Sequence, residues 1–281
     1  MINEGGITRY ARNARGDALT KFGTMAIGSG ATAEAAGDTQ LVSEHTTGGA
    51  ERKAATVTLE GSNLERLRFT ASFAFTEQLI VREVNITDDE APLAEDTGTQ
   101  LLRQVFLKDY AAIPGDTITL EVDSVGSDAT VQPTGATIVV TWDGIEQAHR
   151  LVGRGLTDSD GPWTALALGR DDTAPDADDA ALGDEIVAAD GLNLGRGEGS
   201  ALAVTNVSTN GFVDTVRLFN RWAIETVGTP SVDVDEVSIE TSLTVGSGVM
   251  PARMVFDDPL SLEGLYQDTY EHTFDYVFEI A

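Results

Sequence analysis

The stretch from Phe22 to Glu44, FGTMAIGSGATAEAAGDTQLVSE, returns 141 residues later as Trp163 to Glu185, WTALALGRDDTAPDADDAALGDE. At that fixed offset Ala26/Ala167, Gly28/Gly169, Thr32/Thr173, Ala33/Ala174, Ala36/Ala177, Asp38/Asp179, Leu41/Leu182 and Glu44/Glu185 coincide, and Met25/Leu166 and Ile27/Leu168 stay apolar. Outside this block the echo loosens. Upstream, Gly6-Ile7 and Arg15-Gly16 answer to Gly144-Ile145 and Arg154-Gly155; downstream, Glu83-Val84 answers to Glu236-Val237, and Arg103-Gln-Val-Phe106 to Arg253-Met-Val-Phe256. Shifting offsets mean loops of different length, the common way for duplicated domains to diverge. Two copies are too few for a solenoid, so the chain reads as two tandem domains of ordinary size. The predicted boundaries are 1–122 for the first, 123–136 for a Ser-, Gly- and Pro-containing linker, and 137–281 for the second.

Inside each copy the dominant period is two. Tyr270, His272, Phe274, Tyr276, Phe278 and Ile280 alternate with Glu271, Thr273, Asp275, Val277 and Glu279, the pattern of a half-buried antiparallel strand. Phe69, Ala71, Phe73 and Phe75 make a second such face, Ile118, Leu120 and Val122 a third, and Leu218, Asn220, Trp222 and Ile224 a fourth. Gly, Asp, Ser and Pro clusters punctuate them. Helical spacing is confined to Ile7–Leu19 and its counterpart Ile145–Val152. The expected fold is therefore mainly β: two tandem antiparallel β-sandwich domains, each with a short N-terminal helix.

The repeated unit resembles a family of small virion proteins encoded by tailed viruses. The resemblance is carried by Ala26-IGSGAT-Ala33, Asp38-TQLVS-Glu44, Glu83-Val84, Leu102-Arg103 with Phe106, and Pro114-GDTITLE-Val122; the second copy departs from it at Arg170-Asp171-Asp172, where Gly30 has no glycine counterpart. The family implies a tail, fibre or neck-associated structural role rather than catalysis, with other virion proteins as partners.

Composition constrains the surroundings. The chain carries 46 acidic and 18 basic residues, a net charge of −28, and 15 of the bases are arginine. Such a chain repels itself in dilute buffer, and the repulsion is screened only when the Debye length falls to about 3 Å near molar salt. Disorder is the rival explanation for so much charge, but a 41% apolar content spread evenly over strand-like segments argues for folded domains. The expected setting is concentrated brine, and with it a virus of a salt-loving archaeon. No basic stripe supports nucleic-acid binding. No apolar run approaches the roughly 20 residues of a membrane span, and Met1–Tyr10 lacks the charged start and apolar core of a signal peptide. The expected localisation is the virion, after synthesis in the host cytoplasm. The absence of cysteine excludes disulfides and thiolate metal sites.

Motifs with chemical potential have plainer readings beside them. Gly28-Ser-Gly30-Ala-Thr-Ala33 fits the form Gly-x-Gly-x-x-Ala, but Gly37 follows too soon for the long helix a dinucleotide site needs, so a turn is expected. His45, His149 and His272 are scattered. Asp158–Gly161 and the acidic run Asp171–Asp179 lack the spaced ligands and closing glutamate of an EF-hand and read as solvated faces. Asn85 and Asn206 sit in glycosylation sequons within predicted strands and are expected bare. Trp142, Trp163 and Trp222 suit packing better than sugar stacking. No nucleophile elbow, catalytic triad or phosphate loop is present, so no catalytic, cofactor-binding or metal residue is assigned.

Two sets of charged residues are singled out. Glu83 with Arg103, and Glu236 with Arg253, keep charge at matching positions on neighbouring strands and are expected to form a partly buried pair in each copy; the alternative is arginine snorkelling along a sheet edge. Arg9, Arg12 and Arg15 repeat every third residue on the first helix and mark either a docking face or local pairing with carboxylates. Residues 1–141 carry 20 acids and 11 bases, residues 142–281 carry 26 and 7, so the second domain is the one expected to face brine or a host surface. Together these features predict a structural virion protein acting by assembly as a homo-oligomer, in the tail, baseplate or neck. The alternatives are a capsid-projecting turret or decoration protein and a carbohydrate-binding surface module.

Overall fold

The computed structural model describes residues 4–14, 16–17, 20–35, 37–88, 98–125, 136–153, 155–157, 161–186, 196–198, 200–205, 213–223, 233–245, 247–261 and 269–279. The chain is mainly β, with four antiparallel sheets among these residues. In the first half β2 (Lys53–Ala54), β1 (Thr24–Gly28), β5 (Leu79–Thr87) and β6 (Gln100–Ala112) form one sheet in the order β2-β1-β5-β6, and β3 (Thr56–Glu60), β4 (Arg66–Ala74) and β7 (Thr117–Val125) form another in the order β3-β4-β7. In the second half β10 (Gly197–Glu198), β9 (Ala165–Gly169), β13 (Asp233–Glu240), β14 (Ala252–Ser261) and β8 (Ala136–Val140) follow the order β10-β9-β13-β14-β8, while β11 (Ser200–Thr205), β12 (Val213–Ala223) and β15 (Thr269–Glu279) follow β11-β12-β15.

The sequence repeat is thus also a repeat of strand order, with β8 as the extra edge strand. Register agrees to the residue. Gly28 lies opposite Glu83 and Met25 opposite Ile86, as Gly169 lies opposite Glu236 and Leu166 opposite Ile239. Of the strand faces read from the sequence, that of β4 is present, with Leu67, Phe69, Ala71 and Phe73 alternating into the interior, and β15 pairs with β12 over its whole length; the side chains of β15 lie outside the described residues. Of the predicted linker, Asp123–Val125 continue β7 and Ala136 opens β8; positions 126–135 lie outside the described residues.

Each half has an apolar cluster fed by both of its sheets. Met25, Ile27, Val84 and Ile86 meet Leu67, Phe69, Phe73 and Val122 in the first. Leu166, Leu168, Val237, Ile239 and Met254 meet Leu218 in the second. A fully buried phenylalanine such as Phe69 or Phe73 contributes about 1.5–3 kcal/mol by leaving water.

The helices are shifted from their predicted limits. α1 runs Glu4–Ala14 rather than Ile7–Leu19. It stops because Gly16 adopts φ +97°, and the Gly16 and Asp17 N–H groups turn back onto the Asn13 and Arg12 carbonyls at 2.9 and 3.0 Å, a Schellman closure that a β-carbon would strain. α2 runs Trp142–Val152, one turn earlier than Ile145, because Thr141 caps it by accepting the Gly144 N–H at 3.1 Å.

These helices cross between the halves. The Phe22 N–H donates to the Val152 carbonyl at 2.7 Å, and the repeat-equivalent Trp163 N–H donates to the Ala14 carbonyl at 2.8 Å. Ala14 joins the apolar cluster of the second half, while Ala148 and Val152 join that of the first. Each helix therefore helps to seal the core of the other copy. No helix among the described residues is long and apolar enough to cross a membrane.

Candidate functional site

Antiparallel pairing of β5 with β6 sets Arg103 across from Asn85, one diagonal step from Glu83. Arg103 Nε donates to Glu83 Oε2 at 2.8 Å, its Nη1 to Asp38 Oδ2 at 2.8 Å, and its Nη2 to the Thr32 carbonyl at 3.0 Å. Arg103 is 1% exposed and Glu83 0%. The loop between β1 and β2 closes over this pair, because the carboxylate of Glu83 accepts the backbone N–H groups of Gly30 (2.9 Å), Ser43 (2.9 Å) and Val42 (3.2 Å). One buried glutamate thus supplies acceptors to a loop that has no strand partner at those positions.

The second copy repeats the arrangement. Arg253 Nε donates to Glu236 Oε2 at 2.6 Å and its Nη1 to Asp179 Oδ2 at 2.7 Å, with Asp171 Oδ2 at 3.3 Å from Nη2. Glu236 Oε1 faces the N–H groups of Asp171 and Asp184, each at 3.4 Å. Burial draws the Arg253 and Arg103 pKa values down, but the hydrogen bonds they donate to their aspartate and glutamate partners outweigh it and the net shift is upward. Glu236 moves upward as well, since burial exceeds what Arg253 returns.

Close approach explains the glycines. A β-carbon on Gly28 would lie 2.7 Å from Glu83 Oε1, and one on Gly169 would lie 2.1 Å from Glu236 Oε1. At Gly30 it would meet Glu83 Oε1 at 2.5 Å and Val42 Cβ at 2.6 Å. The second copy puts Asp171 at that position and compensates at the facing one. Where Val42 stands in the first copy, the second has Gly183, and a β-carbon there would lie 1.9 Å from Asp171 Oδ2. Space is conserved while its occupant changes sides, and the occupant becomes another carboxylate for the arginine.

A second pair of ion clusters accompanies the first. Arg52 holds Glu44 with two bonds, 2.6 and 2.8 Å, and Arg196 holds Glu185 with bonds of 2.7 and 3.1 Å. Arg196 also lies 3.3 Å from Glu240, whose counterpart in the first copy is Thr87. Burial pushes the Glu240 carboxyl up to about 7, against the opposing pull of the Ser238 hydroxyl and Arg196.

Glu83 with Arg103 and Glu236 with Arg253 are thus brought together, and neither arginine runs along a sheet edge. The sequence reading missed five participants: Asp38, Asp179, Asp171, Arg52 and Arg196. Asp38 and Asp179 are among the repeat identities but sit on a turn whose direction the strand pattern does not give. Arg52 and Arg196 follow Glu44 and Glu185 at different spacings, which hid their equivalence. The acidic run Asp171–Asp179, expected as a solvated face, instead sends its first and last carboxylates to Arg253.

The arginines of α1 divide. Arg9 is committed within the chain: it pairs with Asp88, donates to the Thr20 carbonyl at 2.6 Å and Thr99 Oγ1 at 2.8 Å, and lies over the Phe22 ring, 5.7 Å from its centroid. Of the two readings given for it, docking or pairing with carboxylates, the structure shows pairing, for a side chain only 12% exposed. Its repeat equivalent Gln147 accepts from Trp163 Nε1 at 2.9 Å and donates to the Gly161 carbonyl, which preserves the contact between helix and ring. Arg12 is exposed and pairs with Asp17 at 3.0 Å. Arg15 lies outside the described residues.

The remaining candidates that fall among the described residues are packed or hydrogen-bonded within the chain. Trp163 is 1% exposed and offers no platform to a sugar, and Trp142 packs half-buried on the second apolar cluster. The side chains of Trp222 and His272, residue Asn206 and positions 158–160 lie outside the described residues. Asn85 is fully buried and donates to Gln100 Oε1 at 2.9 Å. His149 is buried edge-on to Tyr10, and burial lowers its pKa to about 4. His45 Nε2 lies 2.8 Å from the Ile80 carbonyl. Among the described residues no group of three or more His, Asp or Glu side chains is arranged to hold a metal ion. With their arginines and glutamates almost fully buried and only the aspartates partly exposed, what the two clusters do chemically is clamp a loop to a sheet. No family model, curated protein or solved structure matches the chain.

Proposed function

We propose that the chain is a structural virion protein of a tailed virus infecting a salt-loving archaeon, acting by assembly in the tail, baseplate or neck. The observation that carries this reading is the arginine clamp present in both copies. What the duplication has kept is a rigid loop-to-sheet lock, and what it has let drift is the surface around it. That is the pattern expected of a part whose work is shape. Each half is read as a β-sandwich domain, a reading supported by the apolar cluster that its two sheets share. The motifs Ala26–Ala33 and Pro114–Val122 support the viral family, and the −28 charge supports the brine.

Labelling purified particles with an antibody fragment against this chain tests the assignment. Label at the tail or neck is the expected result, label over the capsid shell moves the chain to a turret or decoration role, and particles without label contradict a virion role. The setting is tested separately by thermal melts in about 0.1 M and about 3 M potassium chloride, where screening of the unpaired acids predicts a higher midpoint at high salt. Equal midpoints would remove the argument from brine.

A further inference from the structure

Both copies break their strand pairing at the same place. Between Val81/Tyr110 and Glu83/Val105, Arg82 faces the four residues Phe106–Asp109; between Val234/Leu260 and Glu236/Val255, Asp235 faces the four residues Phe256–Pro259. The bulges are equal in length, so their positions can be equated one by one. Leu107, Lys108, Ile80 and Arg82 in the first copy correspond to Asp257, Asp258, Asp233 and Asp235 in the second.

The two bulges differ in chemistry and share a build. In the first, Leu107 is 104% exposed, with Ile80 and Tyr110 also exposed large apolar residues. Asp109 is bound twice by Arg82 at 2.7 and 2.6 Å, and among the described residues no carboxylate pairs with Lys108. In the second, Pro259 and Leu260 are exposed, and among the described residues no base pairs with Asp257, Asp258 or Asp233. Asp235 beside them is held above the usual carboxylate range by burial and by Asp172, Asp233 and Asp171. The first bulge therefore carries apolar surface with a cation that no described carboxylate pairs, and its counterpart carries apolar surface with anions that no described base pairs.

We propose that copies of this chain associate head to tail, the Leu107-Lys108 bulge of one seating against the Asp257-Asp258 bulge of the next. Leu107 and Tyr110 meet Pro259 and Leu260, and Lys108 meets the two aspartates. The apolar part persists when molar salt screens the charges. The charges choose the partner, since two first-copy bulges would oppose lysine to lysine and two second-copy bulges would crowd four aspartates. Each chain carries one bulge of each kind, so the contact is heterologous and closes into a ring or runs on as a filament. It gives a concrete contact for the assembly proposed above and does not depend on the virion assignment; a labelled particle would leave it undecided, and its failure would leave the label intact.

Sedimentation of the full chain in about 1 M potassium chloride tests it. The wild type is expected to form species heavier than 29.7 kDa. Leu107→Asp with Lys108→Asp, or Asp257→Leu with Asp258→Lys, is expected to weaken association by about tenfold or more. Combining both sets restores it, because the bulges have then traded chemistry. Circular dichroism checks folding, and Lys108→Glu and Asp258→Lys alone serve as milder versions. The proposal is overturned by a wild type that stays at 29.7 kDa, by folded variants that associate like the wild type, by the second pair of substitutions having no effect, or by a folded combined variant that stays apart.

Discussion

The first copy closes one arginine over two carboxylates, Arg103 over Glu83 and Asp38; the second closes Arg253 over three, Glu236, Asp179 and Asp171. The companion clusters differ in the same direction, Arg52 with Glu44 against Arg196 with Glu185 and Glu240. The second copy has therefore become more acidic in its interior as well as on its surface, and at defined places, Gly30 to Asp171 and Thr87 to Glu240. A surface acid in strong salt costs little, since solvent and ions screen it. A buried acid without a full partner is costly unless it binds a proton or shares a cation. The clamp is thus one device at two settings, nearer balance in the first half and carrying excess negative charge in the second.

The largest expected effect comes from removing the cation. Arg103→Met leaves two carboxylates facing each other and Arg253→Met leaves three, so each variant is expected to lose about 3–5 kcal/mol in denaturant titrations, with Arg253→Met the worse of the two. Losses below about 1 kcal/mol at both sites would make the clamps equivalent to surface pairs.

Glu240 gives the next effect. Its folded pKa of about 7 stands above the ordinary 4.5, so the stability linked to its proton is fully present below about pH 4.5 and is lost as pH rises through about 7. Glu240→Gln keeps the shape and removes the ionisation. The variant is expected to match the wild type near pH 4 and to exceed it by roughly 3 kcal/mol near pH 9, read from urea midpoints in strong salt. An equal gap at both pH values would contradict a titrating Glu240. The first copy, with Thr87 there, has no counterpart to this response.

A smaller effect is expected where space has changed sides. Gly30→Asp alone crowds Glu83 and Val42 and is expected to cost about 1–3 kcal/mol. Adding Val42→Gly recreates the second copy's arrangement and is expected to recover most of the loss, a coupling visible in a double-mutant cycle. Additive costs would mean that Asp171 and Gly183 do not compensate each other.

Much of this was legible in the chain because the signals were local or repeated. The period of two in Phe69–Phe75 and Tyr270–Ile280 places strands β4 and β15 without long-range information. Glu83, Arg103, Glu236 and Arg253 stood out because charge had been kept at matched positions on adjacent strands, where pairing brings diagonal neighbours together. The crossing of α1 and α2 between halves was not legible, since no local pattern states which core a helix end will seal. For Arg9 the choice between docking and pairing was not legible, because its partners Asp88 and Phe22 come from other elements. The acidic run from Asp171 concealed two ligands of Arg253 because a chain with 46 acids offers no contrast.

The central claim, that a buried glutamate–arginine clamp locks the same loop in both copies, is most directly tested by a double-mutant cycle on Glu83 and Arg103 using Glu83→Gln and Arg103→Met. The account predicts a coupling of about 2–3 kcal/mol that is the same in about 1 M and about 3 M potassium chloride, because a pair at 0% and 1% exposure lies beyond the reach of screening ions. A coupling below about 0.5 kcal/mol, or one that falls away as salt is added, would contradict it.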